Sequence, residues 1–239
     1  MTETISDRII TALDAPDWDD ARRILADLPE ENRRVKVGKQ LFTRSGPKVL
    51  EELRASGHDV FLDLKYHDIP NTVAGAVRAA ADIGAWMVNV HAGGGPRMLE
   101  AAREALAGVT ERPWLLGVTV LTSMDAEELR AVGVEAEPRE QVLRLARLAF
   151  EAGLDGVVAS PAEVPMLRSE LGSDFLLVTP GVRPAGSERG DQRRAATPGE
   201  AVAHGADYLV IGRPLTQAED PQGTWNTIVA EMSATPTER

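Results

Sequence analysis

Cysteine is absent from the 239-residue sequence, and so are long apolar runs. Without cysteine, neither a disulfide framework nor thiolate chemistry is available. The four histidines show no metal-ligand spacing, so a structural zinc site is not expected. No stretch of about 18 apolar residues occurs, and residues 1–8 lack the basic and apolar segments of a secretion signal. These absences predict a soluble cytoplasmic protein.

Positive charge is scarce as well, and the formal net charge at pH 7 is −11. Nonspecific binding to nucleic acid or to an anionic membrane needs a basic surface, so both are disfavoured. A local basic cluster could still hold an anionic substrate. Only four of the 26 basic residues are lysines, and two of these, Lys36 and Lys65, lie in apolar segments. A lysine can give up its proton where an arginine cannot, which makes both positions candidates for chemistry.

Apolar and amphipathic segments alternate along the chain, and no linker or low-complexity tract divides it. Eight apolar segments are predicted strands: residues 8–14, 34–42, 59–65, 86–92, 113–121, 156–160, 176–181 and 208–213. Helical patterns follow at residues 19–28, 47–56, 71–83, 96–106, 139–152, 162–171, 198–203 and 221–232. Continuously apolar strands indicate a parallel sheet covered by helices on both faces. We therefore predict an α/β fold, a single (β/α)8 TIM barrel domain over residues 1–239, with an open doubly wound sheet as the alternative.

The most informative motif is DLKYHDIPNT at residues 63–72. Side chains alternate along a strand, so Asp63 and Lys65 are predicted to share one face. Asp68 follows just beyond the strand, and Pro70 stands where a helix can begin. Such a pair could be an ordinary ion pair at a solvated sheet edge. The apolar flanks favour a functional site, because buried charges are unfavourable unless they are paired.

Other polar residues are expected at the same rim of the barrel, where the carboxyl ends of the strands meet. Lys36 lies in predicted strand 2, and strand 5 runs out into Thr122 and Ser123. Asp14 ends strand 1, where a helix N-cap is as good an interpretation as a substrate contact. The glycine-rich loop at 93–95 is interpreted as a tight turn rather than a phosphate cradle, because it lacks the P-loop Lys-Ser/Thr. His91 before it is expected to be structural.

A phosphate site is predicted where strands 7 and 8 end. The loop at about 182–196 is long and carries four arginines, which is typical of a segment that closes over an anion. Strand 8 ends in Gly212 and Arg213, where a backbone N–H and a guanidinium can meet a phosphate. Pairing of Arg213 with a surface carboxylate is the weaker alternative.

In their order along the chain, these motifs resemble the orotidine 5′-phosphate decarboxylase family in its common bacterial form. The resemblance runs from about residue 10 to about residue 221 and rests on VKVGK (35–39), DLKYHDIPNT (63–72), VNVH (88–91), VTVLTS (118–123), TPGVRP (179–184), GDQRR (190–194) and VIGRP (210–214). It implies decarboxylation of orotidine 5′-phosphate to UMP in pyrimidine biosynthesis, without a metal, thiamine or pyridoxal cofactor.

The resemblance also implies roles for individual residues. Lys65 would be the proton donor within a charge array of Lys36, Asp63, Lys65 and Asp68. Asp68 and Thr72 would act across a homodimer interface. The remaining substrate contacts would be Asp14 and Lys36 at the ribose, Thr122 and Ser123 at the pyrimidine, and Arg183, Gln192, Gly212 and Arg213 at the phosphate and the closing loop.

Two alternatives remain open on the sequence. A metal-dependent sugar-phosphate decarboxylase would use the same Asp-x-Lys-x-x-Asp carboxylates to hold Mg²⁺, although Lys36 beside Asp63 disfavours a cation there. A barrel that binds a nucleotide phosphate without catalysis is the other alternative, and the intact charge array argues against it.

Overall fold

The computed structural model describes residues 4–184 and 196–234. Within these residues the chain forms eight strands: β1 Ile9–Leu13, β2 Arg34–Gly38, β3 Asp59–Tyr66, β4 Met87–His91, β5 Trp114–Val118, β6 Gly156–Val158, β7 Leu176–Pro180 and β8 Tyr208–Ile211. Each strand pairs in parallel with the next, and β8 pairs with β1, for example Ile10 with Val210. The sheet is a closed barrel in chain order. The predicted (β/α)8 fold is confirmed, and the open sheet is excluded.

Helices cover the outside of the barrel. In the described part of the chain they are α1 Trp18–Asp27, α2 Lys39–Ser45, α3 Lys48–Ala55, α4 Pro70–Asp82, α5 Pro96–Glu104, α6 Ala126–Ala131, α7 Pro138–Glu151, α8 Val164–Leu171, α9 Pro198–Ala203, α10 Arg213–Thr216 and α11 Pro221–Ser233. Asp17 caps α1 by accepting a hydrogen bond from the Asp20 amide, and Pro70 is the first residue of α4, as predicted. None of the helices in the described ranges is both long and apolar enough to cross a membrane.

The structure corrects several predicted element bounds. Predicted strand 2 ran to residue 42, but β2 ends at Gly38 and the next seven residues form α2. The turn into α2 places Leu41 in the core, whereas continued extension would have carried the polar Lys39 and Gln40 along the sheet. Strand 8 was predicted to reach residue 213, but β8 ends at Ile211, two residues earlier. Strand 5 is likewise shorter than predicted, and helices α6 and α10 were not predicted.

Two apolar clusters hold the barrel together. The larger lies between the strands and the helices, and the smaller fills the barrel interior. The interior cluster comprises Ile10, Ala12, Phe61, Met87, Leu116, Val178, Tyr208 and Val210. Two members of this cluster, Ala12 and Phe61, pair with Lys36 on either side of β2. The interior cluster therefore reaches the level of Lys36.

Arginine–aspartate pairs fasten the amino-terminal ends of the strands. Asp155 precedes β6, accepts two hydrogen bonds from Arg112 at 2.7 and 2.8 Å, and accepts a third from the Leu115 amide of β5 at 2.8 Å. Asp207 precedes β8 and accepts from Arg168 at 2.7 Å and from the Leu177 amide of β7 at 2.8 Å. Each aspartate thus ties its own strand to the preceding one.

Candidate active site

Four charged side chains meet at the carboxyl ends of β1, β2 and β3. The Lys65 Nζ lies 2.5 Å from Asp63 Oδ1, and the Lys36 Nζ lies 3.4 Å from Asp63 Oδ2. Lys36 also donates to Asp14 Oδ1 at 3.1 Å. Positive and negative charges therefore alternate in the order Asp14, Lys36, Asp63, Lys65. Asp14 caps no helix, since Asp17 caps α1, so the N-cap alternative for Asp14 is excluded.

Burial and neighbouring charges have opposite effects on the pKa values of the groups in this row. Burial alone would raise the pKa of the Asp63 carboxyl, but Lys36, Lys65 and the hydrogen bonds that it accepts outweigh burial and hold the pKa below its ordinary value. Burial would likewise lower the pKa of Lys36, but the neighbouring Asp63 and Asp14 raise it above its ordinary value. Both groups are therefore charged at neutral pH.

The backbone of β3 changes conformation at Lys65. Its φ of 53° makes it the one non-glycine residue in the described ranges with a positive φ. The pairing of β3 with β4 shifts at the same place, because Leu62 pairs with Val88 while Tyr66 pairs with Val90. Lys65 and Asp63 do reach the same side of the strand, but through a bulge rather than through the simple alternation that the sequence predicted.

Asn89 was not among the predicted site residues, although it contacts two of them. This β4 side chain is 1% exposed. Its Nδ2 donates to Asp63 Oδ1 at 2.7 Å, and its Oδ1 accepts from the Lys65 amide at 2.8 Å. The available signal in the sequence was a single amide side chain inside the otherwise apolar stretch of residues 87–90.

An apolar cavity of about 150 Å³ opens beside the charged row. Its polar lining consists of Lys36, Asp63, Lys65 and Thr122. The remaining wall is largely apolar and consists of Phe61, Val118, Val120, Leu121, Val158, Ala159, Pro180 and Val210. Ser123 is exposed next to Thr122. A flat, uncharged ring could occupy this cavity with its edge towards the two ammonium groups.

Two glycines leave room around the Asp14 end of the row. A Cβ on Gly212 would lie 3.6 Å from Asp14 Oδ2, and a Cβ on Gly38 would lie 3.3 Å from the Lys36 Nζ. Gly212 immediately precedes α10, so Arg213 stands at the first position of that helix and is exposed. Arg183 is partly buried just after β7. Gln192 and most of the predicted closing loop, residues 185–195, lie outside the described residues.

The structure does not bring Asp68 and Thr72 into the charged row. Both residues are exposed, and Asp68 Oδ1 accepts a hydrogen bond from the adjacent Ile69 amide at 2.6 Å. Ile69 itself is 67% exposed, a large fraction for an isoleucine side chain.

His91 lies at the end of β4, with its ring centroid 5.5 Å from that of His67. Burial, His67, Lys65 and Lys39 together lower its pKa to about 4. His91 is therefore neutral at pH 7. The 93–95 loop is a tight turn, as predicted, in which Gly95 adopts a φ of 82° before α5.

No group of three or more histidine, aspartate or glutamate side chains within residues 4–184 and 196–234 is arranged to hold a metal ion. The charged row alternates lysine with aspartate, so each carboxylate already faces an ammonium group. A cation at Asp63 would have to displace Lys36 or Lys65.

Fold and site together define a (β/α)8-barrel protein of the kind whose active site lies at the carboxyl ends of the strands. The chain belongs to the orotidine 5′-phosphate decarboxylase / HUMPS family, whose sequence model matches residues 7–228. The predicted family is thereby confirmed.

Relatives of known name resemble the chain over almost their full length. It is 58% identical over 227 residues to orotidine 5′-phosphate decarboxylase of Halorhodospira halophila, with 95% of this chain and 96% of that protein covered. It is 57% identical over 233 residues to the protein of the same name from Chromohalobacter salexigens, with 98% and 99% covered. The crystal structure of orotidine 5′-phosphate decarboxylase from Lactobacillus acidophilus superposes with a TM-score of 0.84 at 40% identity, covering 95% of this chain and 99% of that one.

Proposed function

We propose that this protein is a carboxy-lyase that converts orotidine 5′-phosphate to UMP in pyrimidine biosynthesis. The observation that carries the proposal is the row of Lys36, Asp63 and Lys65 beside a ring-sized apolar cavity. The names and the 52–58% identity of its relatives support the same substrate.

The reaction breaks the bond between C6 of the pyrimidine and its carboxylate. The electron pair stays on C6, CO₂ leaves, and a proton from the Lys65 ammonium forms the new C6–H bond. The carbanion at C6 has no adjacent carbonyl to delocalise its charge, so electrostatic stabilisation must lower the barrier. An ammonium already oriented by Asp63 provides this stabilisation without reorganisation during the reaction.

The rest of the substrate supplies binding energy. Asp14 and Lys36 contact the ribose, and Thr122 and Ser123 lie beside the pyrimidine. The phosphate is held by Gly212, Arg213, Arg183 and Gln192. Binding energy from a non-reacting phosphate can drive closure and raise kcat as well as affinity. Enzymes lower barriers by about 8–23 kcal/mol, and several charged groups acting together are needed for the upper part of that range.

We also propose that the site is completed by a second copy of the chain. Asp68 and Thr72 are exposed next to the largely exposed Ile69, close in sequence to the carboxyl end of β3. An isologous two-fold interface over this surface would cover Ile69 and bring each Asp68 towards the partner's charged row. The array would then continue as Lys36, Asp63, Lys65 and the second chain's aspartate.

The single-domain organisation over residues 1–239 and the cytoplasmic location are part of the same proposal. The strands between residues 9 and 211 all belong to one closed barrel, which supports the single-domain organisation. Closure of the 182–196 loop over the phosphate rests on its sequence alone.

The direct test is to add orotidine 5′-phosphate to the purified protein and follow the loss of its ultraviolet absorbance, with UMP identified as the product. Parallel reactions with and without EDTA separate this activity from a metal-dependent one. We expect full activity in EDTA, since Lys36 and Lys65 take the places around Asp63 that a cation would need. Binding of the nucleotide without CO₂ release would contradict the proposal.

Mixing two inactive variants tests the shared site. Lys65→Ala and Asp68→Ala homodimers should each be nearly inactive. Random reassortment of equal amounts makes about half of the dimers mixed, and roughly a quarter of all sites then carry neither substitution. Activity should therefore appear after co-refolding. A mixture that stays inactive, with subunit exchange verified by mass, would show that Asp68 serves its own chain.

A further inference from the structure

We propose that Asn89 is a positioning residue for the decarboxylation: its amide orients the Asp63 carboxylate between the two lysines and holds the Lys65 backbone in its left-handed conformation. This inference rests on the proposed function and concerns a residue outside the site predicted from the sequence.

The first support is the hydrogen-bond pattern of the Asn89 amide. The Lys65 backbone N–H is a donor and can only meet an oxygen, while the ionised Asp63 carboxylate can only accept. The Asn89 side chain forms both hydrogen bonds: its Oδ1 accepts from the Lys65 N–H at 2.8 Å, and its Nδ2 donates to Asp63 Oδ1 at 2.7 Å. An alanine could form neither bond, and an ionised aspartate could only accept from the Lys65 amide.

The second support is the register between β3 and β4. Leu62 pairs with Val88 and Tyr66 pairs with Val90, so the three residues 63–65 lie opposite Asn89 alone. The Lys65 N–H is thereby removed from the regular backbone ladder, and the Asn89 side chain takes the place of the missing strand partner. The left-handed conformation of Lys65, with φ at 53°, depends on this substitute contact.

The third support is the division of the Asp63 oxygens. Oδ1 accepts from both Asn89 Nδ2 and the Lys65 Nζ, and Oδ2 faces the Lys36 Nζ at 3.4 Å. A carboxylate held only by two mobile ammonium groups could rotate about its terminal bond. The buried amide fixes that rotation, so each lysine keeps its own oxygen and Lys65 keeps its direction towards the cavity.

The first test compares Asn89→Ala with Asn32→Ala. Asn32 is a matched control, because it is also buried, at 3% exposure, and its Oδ1 accepts from Thr11 at 2.6 Å on the outer side of β1. We expect Asn89→Ala to lower kcat by about 100-fold with KM changed less than about threefold, since displacement of a reacting group by about 1 Å has effects of this size. Asn32→Ala should keep kcat within about threefold of the parent. Equal kcat losses in the two variants, or a loss confined to KM, would overturn the proposal.

The isosteric Asn89→Asp variant gives a signature that a merely structural residue would lack. Burial next to Asp63 raises the pKa of the new carboxyl, and once protonated it can donate to Asp63 as the amide does. The kcat of the variant relative to the parent should therefore rise as pH falls from about 8.5 to about 5.5. The parent measured over the same pH range is the reference, so the ratio reports the substitution at position 89. A ratio independent of pH would contradict the inference.

A measurement without turnover separates this inference from the proposed function. The chain has only four lysines, so a protein with ¹³C-labelled lysine gives few side-chain signals, and each can be assigned by substitution. Asn89→Ala should shift the signals of Lys65 and Lys36 and leave those of the exposed Lys39 and Lys48 in place. The positioning role fails if the Lys65 signal does not move. If the parent does not release CO₂, the proposed function fails whatever the lysine signals show.

Discussion

The two ends of the barrel use opposite charges in different ways. At the amino-terminal end, Arg112 and Arg168 each bind an aspartate that also accepts a hydrogen bond from a strand amide. At the carboxyl end, two lysines share the single carboxylate of Asp63 and line a cavity. Arginine offers a planar fork with fixed geometry, whereas lysine is a compact charge that can transfer a proton. Ion pairs at the amino-terminal end thus hold the strands together, whereas those at the carboxyl end are available to a substrate.

Substituting Lys65 should produce the largest effect at the carboxyl end. We expect Lys65→Ala to lower kcat by at least about 10⁴-fold, because both charge stabilisation and proton donation are lost. Affinity for UMP should change little. Lys65→Arg should also be inactive, since a guanidinium does not readily give up its proton. Kinetics of orotidine 5′-phosphate consumption and calorimetric binding of UMP measure the two quantities.

Lys48→Ala is the matched control, because Lys48 is exposed and forms only an exposed pair with Glu52 at 3.4 Å. Its kcat should equal that of the parent. Substantial activity in Lys65→Ala, prepared in cells without their own enzyme, would show that the lysine at the carboxyl end is not needed for catalysis. The proposed difference between the ion pairs of the two ends would then be wrong.

Arg213→Ala should have the next largest effect, through the phosphate. Loss of one charge-assisted contact, worth about 1.5–3 kcal/mol, corresponds to roughly a 10- to 150-fold lower kcat/KM for orotidine 5′-phosphate. The nucleoside orotidine lacks the phosphate, so it should be a very poor substrate and lose little more in the variant. Equal proportional losses on both substrates would exclude a phosphate role for Arg213.

At the amino-terminal end, Arg168→Ala should lower stability and leave chemistry intact. Arg168 contacts Asp207 and the carbonyls of Gly172, Phe175 and Gly205. We expect the free energy of unfolding to fall by about 2–3 kcal/mol, less than for a fully buried pair because both partners are about a fifth exposed. The kcat of the folded variant should stay within about threefold of the parent. Urea titration and kinetics on the same sample test both statements.

Arg147→Ala provides the comparison for that variant. Arg147 pairs with Glu170 at 2.5 Å, but both side chains are more than 40% exposed. Such surface pairs contribute about 0–1 kcal/mol. If Arg147→Ala were as destabilising as Arg168→Ala, the strand-fastening role of Arg168 would be wrong.

The last prediction is the pH dependence caused by His91, which per pH unit is smaller than the loss expected for Arg168→Ala. Its pKa is lowered from 6.5 in the unfolded chain to about 4 in the fold. Between these values the unfolded state binds a proton that the folded state does not, so stability falls as pH drops from 6.5 towards 4. One proton contributes at most about 1.4 kcal/mol per pH unit. His91→Gln should flatten the stability curve in this window, and an unchanged slope would contradict the prediction.

The barrel could be predicted from the sequence because the same pattern recurs along the chain. Eight apolar segments, each followed by a helical pattern, leave few alternatives, and an error in one segment does not change the architecture. Strand 2 illustrates the limit. Nothing in the apolar residues Leu41 and Phe42 indicated that the chain turns into a helix at Lys39, because both a strand and a helix would bury Leu41.

The site was predictable in its residues and less so in its geometry. The proximity of Lys36, Asp63 and Lys65 follows from strand ends that meet at one rim. The bulge at Lys65 does not, since alternation along an ordinary strand would give the same side for both charges. Asn89 was not predicted as a site residue because its contacts with Asp63 and Lys65 depend on that bulge.

The left-handed backbone at Lys65 lowers stability, whereas the lysine side chain at this position serves activity. A left-handed residue other than glycine is unfavourable by about 1–3 kcal/mol, and asparagine or glycine adopts this conformation more easily. Lys65→Gly would relieve the strain while Lys36 and Asn89 continue to contact Asp63. A variant library selected for thermal resistance alone would therefore tend to lose the lysine, and one selected for growth without uracil would keep it. Position 65 is thus where selection for folding and selection for pyrimidine synthesis favour different amino acids.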